Sequence, residues 1–184
     1  MVEVQQYRHA DMPRDILCQI DSFVRIVWLA DLKGEDRFWQ MDDPTGLRQY
    51  FIIVERDVLI SHANVIQRTI THVGENYLLY GLGGVFTYPA FRGEGYGQQV
   101  VDAATAYIRR SPADIGMLFC DPARWNFYGR SGWQRLETEI LVGKLEQRQP
   151  FTEEPAMIIY NSARAQAHQR DFETMPIYVG ESTW

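Results

Sequence analysis

Two short stretches of this chain combine residue types that could do chemistry. The first, FRGEGYGQQ (Phe91–Gln99), stands between a run ending VFTYP and a run with helical spacing. A turn that opens a helix presents backbone N–H groups with no upstream carbonyl to accept them, and such a turn attracts anions. Gly93, Gly95 and Gly97 would let the backbone approach a ligand closely, and Arg92 adds a fixed positive charge. No Lys-Ser/Thr pair follows and the spacing is not GxGxxG, which counts against mononucleotide and dinucleotide binding. On glycine content alone, a ligand-free strand-to-helix turn is as good a reading. The second stretch, FYGRSGW (Phe127–Trp133), carries Tyr128. A phenol of ordinary pKa, about 10, is protonated at neutral pH and so could act as a proton donor. An isolated Phe-Tyr pair more often packs than reacts.

Other reactive residues are scattered. His9, His62, His72 and His168 share no ligand spacing, and Cys18 and Cys120 form no CxxC, so no metal is expected. His62 lies alone in a strand-like run, where a histidine reads as a satisfied structural group. Cys120 ends a buried run, and nothing near it in sequence would lower its pKa, so a nucleophilic role is the minor reading. Tyr80 and Tyr88 read as core aromatics.

These residues need elements to hold them. Val2 to Tyr7 alternates weakly as a strand, and Asp11 and Pro13 supply an N-cap and a first-turn residue for a helix. Ile16, Leu17, Ile20, Phe23, Val24 and Val27 fall on one face of that helix. The stretch ADLKGEDRFWQMDDPTG has neither period and reads as loop. YFIIVE, VLISHANVIQRTI and YLLYGLGGVFTYP then make an antiparallel meander. Val100, Val101, Ala104, Tyr107 and Ile108 mark a second helix, stopped by Ser111 and Pro112. The run IGMLFC is a buried strand, parallel to the one before because a helix separates them. A short helix over residues 124–130, a strand over 133–142 and another over 157–160 complete the order.

The chain has 184 residues, 46% of them hydrophobic, enough for one ordinary domain over 1–184 with a core that needs no disulfides. A net charge of −6 without any dense basic run argues against nucleic acid. Two cysteines, an acidic start and no long apolar run point to a reduced, cytoplasmic protein without membrane spans.

Arg92-x-x-Gly95-x-Gly97 after a strand, followed by FYGRSGW, resembles the GNAT superfamily of acyl-CoA N-acyltransferases. The resemblance runs from Gln49 to about Val142. It implies a mixed α/β fold, with a central mixed, mostly antiparallel sheet flanked by helices and a splayed parallel strand pair at the coenzyme A site. It further implies acetyl-CoA as co-substrate. Arg92, Gly93, Glu94, Gly95, Tyr96, Gly97 and Gln98 would hold its pyrophosphate, and the strand Gly84–Thr87, with Val85, Phe86 and Thr87, would pair with its pantetheine arm. A backbone N–H near Val85 or Phe86 would stabilise the oxyanion, a contribution of about 3 kcal/mol. Tyr128 would be the general acid. Asp121 stands where family members often have Asn.

LISHANVIQR (Leu59–Arg68) and a final Trp resemble, within the superfamily, the aminoglycoside 2′-N-acetyltransferases. That likeness implies a small, cationic amine held by Asp31, Asp36, Glu153 or Glu154, and Trp184 through its carboxylate. It allows a homodimer. The chain departs from those enzymes at Gly83, where they carry a glutamate, and at Ser182, where they carry an acid. The expected reaction is direct acetyl transfer to a primary amine. A non-catalytic acyl-CoA sensor and a phosphate-ligand enzyme unrelated to coenzyme A stay open beside it.

Overall fold

A computed structural model describes residues 3–28, 32, 34, 40–41, 43 and 45–184. Strand β1 (Gln5–Arg8) precedes helix α1 (Arg14–Val27), and β2 (Gln49–Glu55), β3 (Val58–His72) and β4 (Glu75–Thr87) follow as the alternating runs require. Then come α2 (Tyr96–Arg110), β5 (Ile115–Phe119), α3 (Trp125–Gly129), β6 (Gln134–Leu136) and β7 (Ile140–Val142). The chain closes with β8 (Gln149–Pro150), β9 (Ala156–Tyr160), α4 (Ala163–Ala167), α5 (Gln169–Thr174) and β10 (Ile177–Tyr178). Seven strands hydrogen-bond in the order β1-β2-β3-β4-β5-β9-β6, and three more in the order β10-β7-β8. This is the mixed sheet flanked by helices that the sequence leads one to expect.

The chain divides into two compact units. One comprises Met1–Asn64 with Gly84–Ala103, the other Val65–Gly83 with Ala104–Trp184. In the first, the α1 stripe Ile16, Ile20, Phe23 and Val24 is buried with Tyr50, Ile52, Leu59 and Phe86. Phe23 stacks on Phe86 with ring centroids 4.2 Å apart, which fixes the helix against β4. Val27, expected on the same stripe, is 44% exposed because it falls in the last turn. Pro13 occupies the N-cap position of α1 with no side chain capping it, and Asp11 instead pairs with Arg8. β2 and β3 meet at Arg56 and Asp57, both at positive φ, the geometry of a two-residue hairpin turn.

In the second unit, β4 and β5 run parallel, as the intervening helix demands, and β5 pairs antiparallel with β9. Ile115, Met117, Ile158, Phe172 and Ile177 lie at the centre of its core. The single strand expected over 133–142 is two. β6 joins β9 and β7 joins β8 and β10, so one alternating run serves two sheets. Asp114 ties β5 into this unit by accepting from Leu78 N–H, Ser162 Oγ and Arg164.

Candidate active site

The glycine-rich turn belongs to the first unit. β4 ends at Thr87, Pro89 opens a single 3-10 turn through Phe91, and α2 starts at Tyr96. Gly93 and Gly95 take φ +87° and +83°, values that L side chains rarely adopt, and no atom stands within 4 Å of where a Cβ would sit on either. This leaves an open cradle of backbone at the start of a fifteen-residue helix. Arg92 folds back and donates from Nε to the Thr87 carbonyl at 3.0 Å, which holds its guanidinium beside the strand end. The turn therefore fits a pyrophosphate, and Arg92 to Gln98 would hold it.

The same unit contains the strand segment Gly84–Thr87. Gly84 sits at φ +58°, a left-handed residue inside a strand. A Cβ there would meet Asn64 Nδ2 at 2.5 Å and His62 Cε1 at 3.1 Å, so glycine is required by both backbone and space. Arg48 donates to Asn64 Oδ1 at 3.1 Å. His62 is fully buried, and its Nδ1 lies 2.6 Å from the Gly84 carbonyl oxygen. Burial, assisted by the positive charge of Arg48, pushes its pKa down to about 4 against the opposing pull of the Gly84 bond. Beyond Gly84, the Phe86 carbonyl accepts from Ser61 Oγ.

Tyr128 belongs to the second unit. It is buried near the end of α3, and its carbonyl accepts from the N–H groups of Ser131 and Trp133. The Trp133 indole donates to Thr105 Oγ1 at 2.9 Å and packs on Gly116 of β5, where a Cβ would stand 3.1 Å from it. Burial pushes the Tyr128 phenol well above its ordinary pKa, with the neighbouring Cys120 adding to the shift, so the group stays protonated at neutral pH. Burial also raises the Cys120 thiol, to about 11, with Glu154 adding to the rise. A neutral thiol is a poor nucleophile, which disfavours an acyl-cysteine. Asp121 accepts from the Ala123 N–H at 2.8 Å and so caps the turn before α3.

The expected acceptor acids separate. Glu154 acts electrostatically on both Tyr128 and Cys120 and lines a cavity of about 420 Å³ with Glu137, Glu139, Phe151 and Trp125. Glu153 is exposed and does not line it. Asp31 and Asp36 lie outside the described residues. Glu137 and Glu139 escaped sequence reasoning because they fall inside the run read as one strand. Among the described residues no cluster of His, Cys, Asp or Glu could hold a metal, and no helix is long and apolar enough to cross a membrane.

Trp184 meets β4 through its ring. The indole covers Gly81 and Gly83 and donates to the Leu82 carbonyl at 3.1 Å, with Phe119 of β5 edge-on at 5.0 Å. A Cβ at Gly83 would stand 2.8 Å from the indole, so the missing side chain at 83 has a physical reason. Arg68 lies 5.4 Å from the same ring and donates to the carbonyls of Val179 and Ser182. Glycines at alternate positions of an otherwise apolar strand, 81 and 83, were the available signal for a ring packed on them.

The parallel β4–β5 pair and the glycine turn that opens α2 suit an anionic cofactor bound at a strand-to-helix junction. Residues 19–136 match the family model described as an acetyltransferase (GNAT) domain, and the chain belongs to that family. It is accordingly a GNAT-type N-acetyltransferase, and acetyl-CoA fits as its co-substrate. Solved structures share the fold. Escherichia coli ElaA is 19% identical with a TM-score of 0.63, over 86% of this chain and 99% of ElaA. An aminoglycoside 6′-N-acetyltransferase complexed with coenzyme A is 11% identical with a TM-score of 0.59, over 84% of this chain and 93% of that one. A probable N-acyltransferase from Enterococcus faecalis is 18% identical with a TM-score of 0.56 over 72% of this chain, which spans about a third (32%) of its length. No curated protein sequence matches the chain.

Proposed function

We propose that the protein moves an acetyl group directly from acetyl-CoA to a primary amine carried by a small cationic molecule. The observation that carries this reading is the open backbone cradle of Gly93 and Gly95 at the start of α2. The amides of residues 93–98 bind the pyrophosphate, with the helix dipole favouring its charge. Val85, Phe86 and Thr87 present strand backbone to the pantetheine arm. Acetyl-CoA supplies the activated thioester. The Val85 N–H meets the negative charge that develops on its carbonyl oxygen, a role worth about 3 kcal/mol. Tyr128 donates a hydrogen bond to the departing thiolate and, with its pKa raised by burial, keeps its own proton; the proton that the acetylated amine sheds is the one the thiolate takes up.

For the acceptor, the support lies in the three carboxylates Glu154, Glu137 and Glu139, which outnumber the one arginine, Arg135, lining the same cavity. Carboxylates of one sign raise the local concentration of a cation and orient its ammonium. Trp184 does not line this cavity; its ring lies on Gly81 and Gly83 with Arg68 against it, which leaves its carboxylate as the group that would meet a cation. This reading favours a cationic amine and keeps aminoglycosides within the class, with the 2′-amine as the first position to try. Release of free thiol from acetyl-CoA in the presence of aminoglycosides, polyamines, amino acids and peptides tests it. Turnover on a cationic amine is expected; failure across the whole panel would overturn it.

A further inference from the structure

The histidine on β3 does more than fill space. His62 is fully buried, stacked on Phe86 with ring centroids 4.9 Å apart and tilted against Tyr50 at 5.7 Å. A phenylalanine would satisfy both ring contacts. What histidine adds is a polar edge, and the two nitrogens of that edge are treated differently. Nδ1 lies 2.6 Å from the Gly84 carbonyl oxygen, whereas Nε2 is buried without a hydrogen-bond partner. A carbonyl cannot donate, so the proton sits on Nδ1 and Nε2 is a bare lone pair. Burying an unpaired nitrogen carries a real cost, and the chain accepts it together with a residue at φ +58° whose carbonyl meets that Nδ1.

The partner peptide explains why. All peptide bonds here are trans, so a C=O and the following N–H point in opposite directions. With the Gly84 carbonyl directed to His62, the Val85 N–H is directed away from it. Two residues on, the Phe86 carbonyl is also held from β3, by Ser61 Oγ. A hydrogen bond at the Gly84 carbonyl also polarises the amide and strengthens its N–H as a donor. We infer that His62 is a positioning residue: by donating from Nδ1 to the Gly84 carbonyl, it locks the Gly84–Val85 peptide so that the Val85 N–H is aimed at the thioester carbonyl of the acyl donor. This rests on the reading of Val85 as oxyanion donor proposed above.

The test uses the full-length protein with acetyl-CoA labelled with 13C at the acetyl carbonyl. Isotope-edited infrared difference spectra report the hydrogen bond to that carbonyl without any acceptor amine. His62→Asn keeps an N–H near the place of Nδ1, and His62→Phe keeps the ring without it. His62→Leu replaces Phe should that variant fail to fold, and coenzyme A affinity by calorimetry checks that the donor still binds. Wild type and His62→Asn should show the bound carbonyl stretch lowered from its value in free acetyl-CoA. His62→Phe should return it toward the free value at unchanged affinity, with turnover on any reacting amine down about tenfold or more and KM for acetyl-CoA unmoved. An identical lowered stretch in wild type and His62→Phe would overturn the role of His62 while leaving the donor reading intact. No lowering in bound wild type would overturn both.

Discussion

The indole of Trp184 occupies the space that a side chain at Gly81 would need, although the two residues are a hundred positions apart in sequence. Adding one methyl group by Gly81→Ala should therefore displace the ring and cost about 1 to 3 kcal/mol of stability, as overpacking does. In a Trp184→Ala background the same change should cost far less. Urea denaturation of the two single variants and the double variant measures the difference, and equal costs in both backgrounds would show that the ring does not depend on the bare strand.

At neutral pH the fully buried His62 is neutral, with its pKa lowered to about 4. The unfolded chain binds a proton there at about 6.5, so falling pH favours unfolding. Stability contributed by the neutral group is complete above about 6.5, is lost as pH falls from there to about 4, and changes no further below that; the total is about 3 kcal/mol. Chemical denaturation at a series of pH values should show this slope in wild type. His62→Phe should flatten that interval, leaving the carboxylate losses at lower pH.

The hairpin between β3 and β4 turns at Val73 and Gly74, at φ +48° and +80°. A β-branched residue is strained there, and Val73 is also 58% exposed, so it returns little by burial. Val73→Asn supplies the residue this turn prefers and should stabilise the protein by about 0.5 to 1 kcal/mol. The midpoint of urea unfolding should rise with an unchanged slope.

At the glycine turn, Gly95→Ala adds a Cβ that meets no protein atom but forces an L residue to φ +83°. Its effect on folding should be about 1 to 2 kcal/mol. The effect of Gly95→Val on coenzyme A affinity should be larger than that of Arg92→Ala, for which about 1 to 3 kcal/mol is expected. Calorimetry on folded Gly95→Val showing unchanged affinity would remove the turn from the donor site.

Tyr128→Phe removes a hydrogen bond to charge that appears only as the reaction proceeds. Turnover on a reacting amine should fall about 10²- to 10⁴-fold while acetyl-CoA affinity stays near its starting value. Changing Glu154, Glu137 and Glu139 to Gln should instead raise the KM of a cationic acceptor, an effect that shrinks with added salt. Intact turnover in Tyr128→Phe would leave the phenol a packing residue.

What the sequence determined by itself was local. Helical spacing in α1 and α2, alternation in β2 to β4, and a glycine turn with an arginine between strand and helix each depend on neighbours within a few residues. The parallel pairing of β4 and β5 followed from the helix between them. What only the tertiary structure decided was pairing over distance. An alternating run such as 133–142 does not say which strand it will join, and here its two halves join different sheets. Gly83 looked like a missing carboxylate until Trp184 was found lying on it. His62 looked like a satisfied core group because sequence places no partner beside it. Its Nδ1 meets the Gly84 carbonyl, 22 positions away, only once β3 and β4 lie together.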